Sequence, residues 1–148
     1  MATADRQAHV LWEGPLIGGK GDLEFASSGI GRFPLTWASR VERADGRTSP
    51  EELLAASHAA CYAMAFSHAL AQGGNPAERL HVTSTVSLDA KEGGGFAVTR
   101  SALEVAGVVP GLDQAGFQAA AEQAEQGCPI SNAIRNNVEI TVQAALES

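Results

Sequence analysis

Ser49-Pro50-Glu51-Glu52-Leu53-Leu54-Ala55-Ala56-Ser57-His58-Ala59-Ala60-Cys61 is the stretch on which the reading of this chain turns. Ser49 is a good N-cap, Pro50 suits the first helical position, and Glu52 completes a capping box with Ser49. The helix predicted from this start runs through Leu53, Ala56, Ala60, Met64 and Ala71 until Gly73-Gly74-Asn75-Pro76 stops it. Alanine dominates and the pattern is apolar nearly all round. That predicts burial on most faces, with small residues letting other backbone approach closely. For a chain of 148 residues, such burial implies that a partner subunit supplies part of the cover.

Short strands are expected on either side of this helix. His9-Val10-Leu11-Trp12-Glu13-Gly14 reads as a strand ended by Gly14 and Pro15. After the glycines at 18, 19 and 21, Asp22-Leu23-Glu24-Phe25-Ala26 alternates as a half-buried strand. Leu35-Thr36-Trp37-Ala38-Ser39-Arg40-Val41-Glu42 alternates too, and Asp45-Gly46 closes it, so the N-terminal third is predicted to be a small antiparallel sheet. Beyond the helix, Leu80–Leu88 and Phe96–Val105 read as two strands joined by the hairpin Lys91-Glu92-Gly93-Gly94-Gly95. Asp113 to Gln126 is an amphipathic helix with Phe117, Ala120, Ala121 and Ala124 inward. Gly127 ends it, a short helix starts at Cys128-Pro129, and Val138–Val142 closes the chain as a strand. The order sheet, helix, hairpin, helix, strand is α+β.

Composition narrows the class. Residues 1–148 are the length of one domain, and 45% hydrophobic with 18% charged residues is globular. A formal charge of −7 argues against nucleic acid or an anionic membrane as the main partner, because phosphate contacts need clustered cations. The first residues lack an apolar export segment and no run approaches membrane-spanning length, so a cytoplasmic protein is expected. In that compartment a transient disulfide is a better expectation than a permanent one.

The chain has two cysteines, in unlike settings. Cys61 lies in the third turn of the central helix, beyond the reach of the helix dipole. A cation brought from elsewhere is needed if it is to be a thiolate near neutral pH. Arg40, Arg43, Arg47 and Lys20 are the candidates. Cys128 stands at or near the N-cap of the last short helix, so local physics alone makes it the more acidic thiol. His58 lies three residues before Cys61 on the same face and reads either as a half-buried helical histidine or as a base. Glu51 reads either as a complement to the helix dipole or as a carboxylate that orients an arginine by a bidentate pair. Scattered histidines and two cysteines have no metal-site spacing, and no cofactor is called for.

The segment Ser49 to Cys61 resembles the first-cysteine motif of the OsmC (osmotically inducible protein C) and organic hydroperoxide resistance family. Gly127-Cys128-Pro129-Ile130-Ser131 resembles its second-cysteine motif. Trp12-Glu13-Gly14 with Gly19-Lys20-Gly21, and Val86-Ser87-Leu88-Asp89, resemble the OsmC branch. The resemblance runs from about residue 8 to the C-terminus. It implies an OsmC-like α+β fold, with antiparallel sheets packed on a long central helix in an intertwined homodimer. It further implies a thiol-dependent peroxidase acting on organic hydroperoxides and more weakly on hydrogen peroxide. Cys61 then corresponds to the peroxidatic thiol, Cys128 to the resolving one, Glu51 to the family's glutamate and Arg40 to the arginine of the OsmC branch. A dithiol such as a lipoyl group is the implied reductant.

Helix geometry adds one inference. Glu51 and Cys61 are ten residues apart, roughly 15 Å along one axis and about 80° apart around it. The Glu51 and Arg40 that serve one Cys61 are therefore expected to come at least partly from the other subunit. Two rival readings stay open: a redox-sensing or hydrophobic-ligand-binding module with little turnover, and a cysteine acyl-transfer enzyme with His58 as base. Met64, Tyr62, Phe66 and Ile130 are read as pocket lining or as plain core.

Overall fold

The computed structural model describes residues 1–148, which divide into two compact units, Met1–Leu53 and Leu54–Ser148. In the first unit β1 (His9–Glu13), β2 (Lys20–Glu24) and β3 (Arg32–Leu35) form an antiparallel sheet in that order, as the alternation predicts. The third strand precedes the stretch expected for it, residues 35–42, and shares only Leu35 with it. After Leu35 the chain turns into the helix α1 (Trp37–Val41) where the alternating pattern predicts strand. The cause is local. Thr36 Oγ1 accepts from the Ser39 amide at 3.0 Å while Ser39 Oγ accepts from the Thr36 amide at 3.0 Å, a reciprocal cap that closes one helical turn. Ser39 Oγ also donates to the Thr36 and Thr48 carbonyls, so this small hydroxyl is buried where the pattern placed a strand residue. Arg40 is thus carried on a helix.

The central helix α2 (Pro50–Gln72) begins in the first unit and continues in the second. Ser49 Oγ accepts from the Glu52 amide at 3.2 Å, the cap that the sequence predicts. Its 23 residues, with a mean hydropathy of 1.2 over 18 of them, are long and apolar enough to cross a membrane by length and composition. The expectation that no run approaches that length is corrected accordingly. What α2 does in this fold is set by its inner stripe: His58, Tyr62, Phe66 and Leu70, spaced four apart, are buried on one face. Burial on most faces is not what this single chain provides, because Ala56, Ala60 and Ala71 on the other face are exposed and Met64 is 71% exposed.

In the second unit β4 (Arg79–Ala90) and β5 (Phe96–Val108) make the expected hairpin across the glycine turn. Chain direction then brings a second correction. α3 (Gln114–Gln126) and α4 (Pro129–Ile134) form a crossover, and β6 (Glu139–Leu146) returns parallel to β5, with Arg100 opposite Glu139 and Gly107 opposite Leu146. This sheet is therefore mixed, order β4-β5-β6, where an all-antiparallel one was expected. A crossover through two helices leaves the last strand running the same way as the strand it follows.

The core of this unit joins Tyr62, Phe66 and Leu70 of α2, Leu103 and Val105 of β5, Phe117, Ala121 and Ala124 of α3, and Cys128. The Phe66 ring lies 5.2 Å from Phe117 and 5.7 Å from Tyr62, whose hydroxyl donates to the Ala121 carbonyl. Gly107 lets β5 approach α3, since a Cβ there would meet Phe117 and Leu80 atoms at 2.8 Å. On the far edge of β6, Gln118 donates to the Val142 carbonyl and accepts from the Ala144 amide. Gln114 repeats the pattern at the Ala144 carbonyl and the Leu146 amide.

Candidate active site

Two pairs of predicted residues are brought together, one in each unit. In the first unit Arg40 Nε lies 3.0 and 3.3 Å from the two Glu51 carboxylate oxygens, and Arg40 Nη2 lies 2.8 Å from Oε1. This is the bidentate reading of Glu51, which also sits in the first turn of α2 where the dipole favours a carboxylate. Glu51 is buried while a third of the Arg40 side chain stays exposed, and Arg40 Nη1 makes no hydrogen bond within the chain. The guanidinium stands 6.0 Å from the Trp37 ring centroid. Of the other candidate cations, Arg47 pairs with Asp45, and Lys20 lies opposite Glu13 in the β1–β2 register.

The second unit holds the thiols. Both are free, and half-buried Cys61 packs against the core that holds the fully buried Cys128. Cys128 is the N-cap of α4, as read from Pro129, and its Sγ accepts from the Ser131 amide at 3.5 Å. The neighbouring Ile130 amide acts on Cys61 electrostatically, favouring its thiolate. Burial pushes the Cys61 thiol above its ordinary value, the Ile130 amide pulls it down, and the adjacent Cys128 pushes it up again. Within its own unit Cys61 is not an activated thiol.

His58 is not half-buried but fully buried, and neither ring nitrogen is available to a thiol. Nδ1 lies 2.6 Å from Ser101 Oγ on β5, and Nε2 lies 2.7 Å from Ser131 Oγ on α4. Ser101 Oγ lies a further 3.0 Å from Ser84 Oγ on β4. This occupation counts against the acyl-transfer reading, which needs a nitrogen facing Cys61. Sequence reasoning missed Ser101 and Ser131 as partners. A signal existed for the first: Ser101 holds a core-facing register position of β5, followed by Leu103 and Val105 at the same parity. Tyr62 and Phe66 are buried core, Tyr62 in the same cluster as Cys128, Met64 points outward, and half-buried Ile130 packs against that core.

Burial lowers the His58 pKa from 6.5, opposed by the Glu125 carboxylate, which itself pairs with Arg135 at 2.8 Å. The unfolded chain therefore binds this proton first on acidification. The stability tied to His58 is fully present above pH 6.5 and lost progressively below it. Denaturant midpoints measured between pH 7.5 and 5 are expected to fall with pH in wild type and to fall less in His58→Asn. Equal slopes for the two proteins would remove this account.

Known proteins were compared with the chain once this geometry was in hand. The OsmC-like protein family matches residues 43–143. Peroxiredoxin OsmC of Escherichia coli is 39% identical over 146 residues, covering 99% of each chain. An organic hydroperoxide resistance protein of Xanthomonas axonopodis pv. citri is 37% identical over 103 residues, covering 66% of this chain and 67% of that protein. Among solved structures, an organic hydroperoxide resistance protein OsmC from Legionella pneumophila superposes with a TM-score of 0.74 at 29% identity, covering 98% of this chain and 99% of that one. The α+β fold with two small sheets and one long helix is the fold of these relatives, and the chain belongs to the OsmC-like protein family.

Proposed function

We propose that the protein is a thiol-dependent peroxidase that reduces organic hydroperoxides, and hydrogen peroxide more weakly, to alcohols or water. The observation that carries this is the thiol pair itself: two free cysteines in one unit, a half-exposed Cys61 packed against the core that holds the fully buried Cys128. Exposure separates their roles. An incoming peroxide meets Cys61, whereas Cys128 is shielded from oxidant and placed to attack what forms on Cys61. This outweighs the N-cap position that by itself favours Cys128 as the more reactive thiol.

The chemistry follows in three steps. The Cys61 thiolate attacks the terminal peroxide oxygen; the O–O bond breaks, the alcohol leaves with a proton, and Cys61 becomes a sulfenic acid. Cys128 then attacks the Cys61 sulfur, forming the disulfide and releasing water. A dithiol such as a lipoyl group exchanges with that disulfide and restores both thiols. Arg40, held in orientation by Glu51, supplies the cation that Cys61 lacks, stabilising the thiolate and the charge developing on the peroxide oxygens through its unused Nη1.

In this reading both units make one OsmC-like domain and the active enzyme is a homodimer, with Arg40 and Glu51 of one subunit serving Cys61 of the other. Support comes from apolar surface left bare in the single chain: the outer face of α2 around Met64, with Val10, Leu11 and Ile17 of the N-terminal unit. The proposed setting is the cytoplasm, where dithiols recycle the enzyme.

The test compares cumene hydroperoxide with hydrogen peroxide, using dihydrolipoamide as reductant, alongside the mass in solution. Multiple turnovers, faster with cumene hydroperoxide, at about twice the 15.3 kDa chain mass are expected. A single oxidation without turnover would instead favour a sensing or binding module.

A further inference from the structure

Nothing in the peroxidase cycle uses His58, yet it is fully buried and polar on a helix face otherwise occupied by Tyr62, Phe66 and Leu70. Its hydrogen bonds assign its proton. Ser131 is also fully buried, and its only side-chain hydrogen bond is to His58 Nε2. If Nε2 donated, the Ser131 hydroxyl proton would have no acceptor. The arrangement that satisfies every proton has Ser131 Oγ–H donating to Nε2, Nδ1–H donating to Ser101 Oγ, and Ser101 Oγ–H donating to half-buried Ser84. A neutral imidazole in one tautomer thus joins α2, α4 and the sheet.

What this chain of bonds holds is the first turn of α4. Ser131, whose hydroxyl binds His58, gives its amide to Cys128, and the Ile130 amide beside it favours the Cys61 thiolate. His58 stands on the same helix as Cys61, less than one turn before it. The opposite end of α4 is fastened separately, by Arg135 to Glu125 on α3. The His58–Ser131 bond is therefore a direct side-chain hydrogen bond between the helix that carries Cys61 and the turn that carries Cys128.

Resting on the peroxidase reading above, we propose that His58 is a positioning residue for disulfide closure: through Ser131 it sets the placement from which Cys128 attacks the Cys61 sulfenic acid. In that step the S–S bond forms, the S–O bond breaks, and the hydroxyl leaves as water with the Cys128 proton. Closure competes with a second oxidation of Cys61 by hydroperoxide, so a misplaced Cys128 leaves more sulfinic acid. Such displacements are costly, since an error of about 1 Å in reacting groups loses on the order of a hundredfold in rate.

Two amide replacements separate the two halves of the imidazole. His58→Asn places its polar atoms near the position of Nδ1 and gives up Ser131. His58→Gln reaches toward the position of Nε2 and keeps Ser131. Reduced protein mixed with cumene hydroperoxide is followed for sulfenic acid by dimedone trapping, for disulfide, and for sulfinic acid by mass spectrometry. In His58→Asn and in Ser131→Ala, closure is expected to slow by about tenfold to a hundredfold and sulfinic acid to accumulate. The first oxidation stays near its wild-type rate in both, and His58→Gln closes faster than His58→Asn. Equal slowing of both steps, or of neither, overturns the proposal, as does equal closure in the Asn and Gln variants. Ser131→Ala is a small change that answers the question if the His58 variants fail to fold. A wild-type protein that oxidises Cys61 without forming the disulfide, or does not oxidise it at all, removes the peroxidase reading together with this one, whereas a normal wild type with unaffected variants removes this one alone.

Discussion

Replacing Cys61 by serine is expected to end hydroperoxide consumption, with a fall of at least about a thousandfold, on the scale seen when a catalytic nucleophile is removed. Serine is close in shape, so the half-buried site keeps its packing. What is lost is a sulfur that can carry a negative charge near neutral pH and accept an oxygen. Cys128→Ser is expected to behave differently. Cys61 is still oxidised once by stoichiometric hydroperoxide, but turnover with dihydrolipoamide collapses and Cys61 proceeds to the sulfinic acid. The two variants are told apart by counting oxidised equivalents in a single mixing experiment. Loss of the first oxidation in Cys128→Ser with its retention in Cys61→Ser would reverse the assigned roles, as the N-cap position of Cys128 alone would suggest.

Arg40→Met is the second large effect. Burial holds the Cys61 thiol up, and in the proposed mechanism the Arg40 guanidinium supplies the stabilisation its thiolate lacks. Removing that cation is expected to lower kcat/KM by about 10²–10³-fold, the cost of one preorganised charge at a reacting centre. The pH profile carries the more specific signature. The thiolate is the charged form, so loss of the guanidinium raises the thiol pKa and moves the rising limb of the rate to higher pH. Glu51→Gln leaves the charge but removes the bidentate hold, and a smaller rate loss with a smaller shift is expected. Arg40→Met also strands a buried carboxylate, at a cost of about 1–2 kcal/mol after allowing for the exposure of the arginine. The double variant Arg40→Met/Glu51→Gln should recover that stability without recovering activity. An unmoved pH profile in Arg40→Met would show that Cys61 draws its activation from elsewhere.

How far the sequence carries depends on the range of the signal. The start of α2 was legible because cap, proline and glutamate act within four residues, and the strands other than β3 because their alternation is local. α1 was misread because Leu35 to Glu42 alternates, while two hydroxyls three residues apart, Thr36 and Ser39, close a helical turn. The parallel return of β6 was not legible, since no residue within a strand records the direction of its neighbour. In the candidate site, Cys61, Cys128, Arg40 and Glu51 were named from motifs, and the Arg40–Glu51 contact spans only eleven residues. The sequence does not decide between two readings of His58 because its partners lie 43 and 73 residues away. Contacts that distant in sequence exist only once three elements have packed.

The glutamines along β6 have a consequence for solubility. Gln114 and Gln118 are one helical repeat of four residues apart, roughly 6.0 Å along α3. Alternate carbonyls or amides on one edge of a strand recur every two residues, about 6.6 Å. That near match lets two side-chain amides imitate the hydrogen-bonding edge of a further strand, each giving one proton and taking one. The outer margin of β6 between Val142 and Leu146 is thereby denied to any foreign strand that might template on it, a common route to aggregation. A protein meant to work amid oxidative damage keeps that edge closed with uncharged groups that peroxides do not attack.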